Sequence, residues 1–133
     1  MVFVDILEEI VRAYPKREAF CYRDAESGEI CTVCFERFLE DVSRAAAYWS
    51  EKQKCLSPEE PFRVGIAADN SYPYFVEYLG VIAAGGVFVP LNQSFGAARV
   101  LEFAAEIGIP YMMAGAAQLA DSEYAAELNA AYP

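Results

Sequence analysis

The 133-residue sequence predicts an α/β fold, in which helices and a β-hairpin precede a partly parallel βαβαβ sheet layer. Three observations predict it. Val64 to Ala68 is an unbroken small-apolar run, as expected for a strand covered on both faces. A helical repeat separates it from a second such run at Val87–Val89, and parallel pairing needs a crossover of that kind, right-handed by rule. The cycle then repeats toward Pro133.

Phe3, Ile6, Leu7, Ile10 and Val11 recur at helical spacing, and the helix should stop before Pro15. Ala19–Arg23 and Ile30–Val33 are β-rich runs on either side of the turn signal Asp24–Glu29, which together predict a hairpin. Phe35, Phe38, Leu39, Val42, Ala45, Ala46 and Trp49 form one apolar stripe, predicting a helix from about Cys34 to Lys52. These elements make up residues 1–56, and the polar stretch 57–62, with Pro58 and Pro61, is expected to be a linker.

Residues 63–133 carry the βαβαβ-type segment. After the first strand, Asp69-Asn70-Ser71 supplies capping chemistry and Pro73 fits a first helical turn. Phe75, Val76, Leu79, Ile82 and Ala83 continue at helical spacing until Gly85-Gly86, the left-handed stop. Val87–Val89 then reads as a second buried strand closed by Pro90. A helix through Val100, Leu101, Ala104 and Ala105 should end at Gly108, followed by a strand at Tyr111–Ala114 and one last helix between Ala116 and Ala131.

Composition excludes several classes of function. There is no histidine, hence no imidazole base and no His-ligated zinc. A net charge of -10 argues against charge-driven nucleic-acid binding. The longest uncharged run, Tyr78–Ala98, is broken by Gly85, Gly86, Pro90, Asn92 and Gln93, so no transmembrane segment is expected. The acidic N-terminus lacks a signal-peptide pattern, so a cytoplasmic location and four reduced cysteines are expected, with Asn92-Gln93-Ser94 a chance glycosylation match. Residues 64–133 contain a single basic side chain, Arg99, against seven acidic ones, which suggests a half that is mostly core or is covered by another protein layer.

Three kinds of motif have the residue types of a site. Gly80–Val87 approaches a P-loop spacing, but it lacks the lysine and its glycines follow a helix instead of preceding one. Cys31-Thr32-Val33-Cys34 is a C-x-x-C at a strand-to-helix junction, where a helix N-terminus could lower a thiol pKa. Only Cys21 and Cys55 remain as further ligands, at irregular spacing, so the expected reading is a buried Cys31 and a helix-start Cys34. Glu8-Glu9, Glu40-Asp41 and Glu59-Glu60 are adjacent carboxylates that do not face each other on a helix, and the aromatic residues default to core. No self-contained catalytic, cofactor-binding or metal-binding residue is identified.

From Arg63 to Asn92 the text is more specific. Arg63, Val64 and Ile66 lead to Asn70-Ser71, and Ala84, Gly85, Val87 and Val89 lead to Pro90-Leu91-Asn92. This resembles the N-terminal region of the adenylate-forming (AMP-binding) enzymes, which include acyl-CoA synthetases, peptide-synthetase adenylation domains and luciferases. Pro15 and Ala19 match the family's opening pattern, and Cys34–Phe38 occupies the place of its Thr-Tyr-x-Glu-Leu. Cys34 and Arg37 depart from the capping pair there, which predicts an N-cap weaker by about 1 kcal/mol. Asn70-Ser71-Tyr72, Tyr78–Ile82 and Pro90-Leu91-Asn92 favour the acyl-CoA synthetases, in particular fatty acid–CoA ligases; Ser94–Val100 resembles a segment of amino-acid adenylators.

The resemblance implies ATP, magnesium and CoA as cofactors of a longer parent enzyme. It implies none for this chain, because the family's phosphate loop, magnesium motif, ribose-binding Asp and catalytic Lys have no match in it. The chain is therefore expected to be an inactive N-terminal fragment of a large domain, with the remainder of the parent chain as its partner and a tendency to self-associate. The alternatives are a fragment of an amino-acid adenylation domain, a stand-alone α/β interaction module, or a C-x-x-C oxidoreductase.

Overall fold

The computed structural model describes residues 3–133. Helix α1 (Phe3–Ala13) leads into the hairpin β1 (Glu18–Arg23) and β2 (Ile30–Cys34), and then into helix α2 (Phe35–Gln53). Strand β3 (Arg63–Ala67), helix α3 (Tyr72–Ala83), strand β4 (Val87–Pro90), helix α4 (Ala97–Ile107) and strand β5 (Tyr111–Ala114) follow. Helices α5 (Ala116–Ala120) and α6 (Ser122–Ala131) complete the chain.

The two sheets differ in character, as the sequence implies. β1 and β2 pair antiparallel, while β4, β3 and β5 form a parallel sheet in that spatial order, with Val64 opposite both Phe88 and Tyr111. Pleat alternation divides the sheet's side chains between two cores. Val64 and Ile66 join Leu7, Phe38, Val42, Trp49, Val76, Leu79 and Val81 on the face covered by α1, α2 and α3. Ala67, Val100, Ala104, Ile109, Tyr124 and Leu128 form the core on the other face, under α4 and α6.

Aromatic packing fastens the hairpin to these helices. Phe20 meets Phe38 edge-on at 4.7 Å between centroids, and Tyr22 stacks on Tyr72 at 5.8 Å. The Tyr72 hydroxyl donates to Asp41 Oδ2 at 2.7 Å, tying α3 to α2. Burial first, and the Asp41 hydrogen bond second, push the Tyr72 phenol above its ordinary range.

The helix stops are where the sequence puts them, for the expected reason. Gly85 (φ 82°) and Gly108 (φ 64°) follow α3 and α4 in the left-handed conformation, which a side chain would strain. The α2 start also follows the text. Cys34 is the N-cap residue and makes no side-chain cap, while the Phe35 and Glu36 amides donate to the carbonyls of Arg17 and Pro15, both at 3.0 Å. Cys34→Ser should place an acceptor near the Arg37 amide and stabilise the fold by about 0.5–1 kcal/mol. The check is the urea midpoint at unchanged slope; an unmoved midpoint means the backbone carbonyls already suffice.

Five expectations need correction. β4 is an edge strand, not a buried one: it pairs only with β3, and Val87 is 55% exposed. The last helix is two, because the Asp121 carboxylate accepts from the Glu123 and Tyr124 amides and starts α6 afresh. Phe62, at the end of the expected linker, is 7% exposed and packs among Trp49 and Tyr111. Cys31 is half-buried rather than buried. Not all the aromatics are core: Phe3, Tyr14, Tyr48, Phe75, Tyr78, Phe95 and Phe103 are exposed.

Candidate functional site at the carboxyl ends of the parallel strands

In an open parallel sheet, helices leave neighbouring strands toward opposite faces, and a crevice opens at the carboxyl ends where they part. Here β3 hands over to α3 on one face, while β5 hands over to α5 and then α6, which packs on the other. Between them lies a cavity of about 320 Å³, lined by Ile66, Ser71, Tyr74, Glu77, Met113 and Gly115 among others.

Of the residues that carry the family resemblance, Asn70, Ser71, Pro90, Leu91 and Asn92 lie at this end of the sheet, while Arg63, Gly85 and Val87 lie at the other. Ser71 is the N-cap of α3, its Oγ accepting from the Tyr74 amide at 3.3 Å. Asn92 Oδ1 accepts from both the amide (2.9 Å) and the hydroxyl (2.7 Å) of Ser94, which shapes the turn after β4. With its side-chain amide turned so that the nitrogen faces them, Gln93 donates to Ala68 O at 3.1 Å and to Asp69 Oδ1 at 2.8 Å, linking the β4 loop to the β3 loop. Leu91 is buried in the second core, and its amide donates to Ile66 O at 2.9 Å. Asn70 is exposed in the bend before Ser71. Ser71 is thus a cap, as read from the sequence, and Asn92 shapes a turn; Pro90 ends an edge strand and Leu91 is core.

The chemistry available in the crevice is limited. Among the described residues, Glu77 is the only carboxylate in its lining, and no lysine or arginine lies there. Glu77 is committed: its Oε2 accepts from Trp49 Nε1 at 2.7 Å. Among the described residues, no group of three or more His, Cys, Asp or Glu could hold a metal ion. Nucleotide phosphates would meet neither a cation nor a glycine-rich cradle. The donor set does not fit ATP, magnesium or CoA, and no step of a reaction is assigned to these side chains.

The other motifs resolve structurally. Cys31 and Cys34 are three positions apart on β2, so pleat alternation sends them to opposite faces. All four cysteines are free, with Cys21 and Cys55 exposed. Within Gly80–Val87, Gly80 is inside α3 against α2, and Gly86 packs where a Cβ would come within 2.8 Å of Phe62. Sequence reasoning missed the Trp49–Glu77 bond, although Glu77 is the only charged residue of α3.

The described helices include none long and apolar enough to cross a membrane. In the comparison with protein families, the profile of the AMP-binding enzymes matches residues 7–132. Among curated proteins, the chain is 30% identical over 111 residues to the nonribosomal peptide synthetase nlsA of Emericella nidulans, covering 82% of this chain and 2% of that protein. It is 24% identical over 116 residues to the D-alanine--D-alanyl carrier protein ligase of Bacillus cytotoxicus, covering 87% of this chain and 21% of the ligase.

Among solved structures, the Mycobacterium tuberculosis fatty acyl CoA synthetase superposes with a TM-score of 0.71 at 18% identity, covering 96% of this chain and 22% of that one. The Klebsiella oxytoca NpsA N-terminal subdomain, in complex with anthranilyl-AMSN, gives 0.68 at 22% identity, covering 85% of this chain and 27% of that one. At these identities the likeness is one of fold. The chain spans about a quarter or less of each of these relatives.

Proposed function

The chain belongs to the AMP-binding enzyme family, and from that premise we propose that it forms the N-terminal layer of an adenylate-forming ligase. Such an enzyme activates a carboxylate with ATP, giving an acyl-adenylate and pyrophosphate, and then transfers the acyl group to a thiol. The observation that carries this reading is the family match over residues 7–132, nearly the whole chain. The layer's own part is architectural. It supplies three parallel strands, their capped loops and two closed cores on which a catalytic remainder can be built.

As to the substrate, Asn70-Ser71-Tyr72 and Pro90-Leu91-Asn92 favour an acyl-CoA synthetase acting on fatty acids, with CoA as the acceptor. A second reading, an amino-acid adenylation domain serving a carrier-protein thiol, is favoured by the curated relatives, which include a nonribosomal peptide synthetase and a D-alanyl carrier protein ligase. In either case ATP, magnesium and CoA or a carrier are held by residues outside this chain, and a cytoplasmic location suits the substrates.

The isolated 133-residue chain should give no ATP–pyrophosphate exchange with any fatty acid or amino acid; measurable exchange would overturn the architectural assignment. The reading frame that encodes it, expressed whole, should exchange with fatty acids. Exchange with amino acids alone would move the assignment to the second reading, and exchange with neither would reject both.

A further inference from the structure

We draw no further inference here: the strongest candidate, the apolar surface patch that the exposed rings of Phe95 and Phe103 form around a notch at the end of edge strand β4, is an unpartnered face, and nothing in the structure shows what covers it.

Discussion

Gly80→Ala should destabilise the chain by about 2 kcal/mol, although alanine is the better helix former. Propensity alone predicts a gain of about 1 kcal/mol in a helix interior. Packing predicts the opposite. A Cβ at Gly80 would lie 2.4 Å from the Ala45 Cβ, 3.1 Å from the Ala45 carbonyl carbon and 3.2 Å from the Ala46 nitrogen. Two of those three atoms are backbone, so relief requires moving α2 away from α3, and overpacking of a filled core costs about 1–3 kcal/mol or more. With the cost at the upper end, the net is a loss, read as a fall of about 6–8 °C in the thermal midpoint. Ala45→Gly in the same background should recover part of it, and a double-mutant cycle with no coupling would refute the close-contact account.

The second large effect belongs to Trp49, the only tryptophan, 3% exposed and set among Tyr48, Phe62 and Tyr111. Trp49→Ala should cost about 3–5 kcal/mol by lost burial and the cavity it leaves. It also strips the half-buried Glu77 of its 2.7 Å donor. Trp49→Phe separates the two contributions: the ring is largely kept and the N–H is lost, so about 1–3 kcal/mol is expected from the unsatisfied carboxylate. Unfolding followed by circular dichroism measures both variants. If Trp49→Phe is neutral, Glu77 finds water as readily as it found the indole, and the bond between α2 and α3 contributes nothing.

Much of the fold was legible because its punctuation is chemical. Pro15 lies beyond the end of α1, Ser71 opens α3, and Gly85 and Gly108 close α3 and α4, each for a backbone reason that does not depend on distant parts of the chain. The edge position of β4 was not legible. Val87-Phe88-Val89 has the same local pattern as a central strand, and only the pairing of β3 with both β4 and β5 distinguishes them. The break at Asp121 was readable in principle, since an aspartate followed by Ser122 and Glu123 is a helix start; the surrounding alanines concealed it.

At the candidate site, Ser71 and Asn92 could be read as a cap and a turn because their partners lie two or three residues away. The Trp49–Glu77 bond joins residues 28 positions apart and is not written in any local stretch of sequence.

The pleated division of the sheet into two cores also orders the molecule in time. Every buried member of the first core lies between Leu7 and Val81, whereas the second runs from Ala67 to Leu128. During synthesis from the N-terminus, the central strand β3 emerges before either neighbour, already backed by the helices and hairpin that precede it. The first core therefore has all its buried residues before β4 and β5 exist, and the later strands are added to a surface already in place. The second core closes last, over a sheet whose position the first has set.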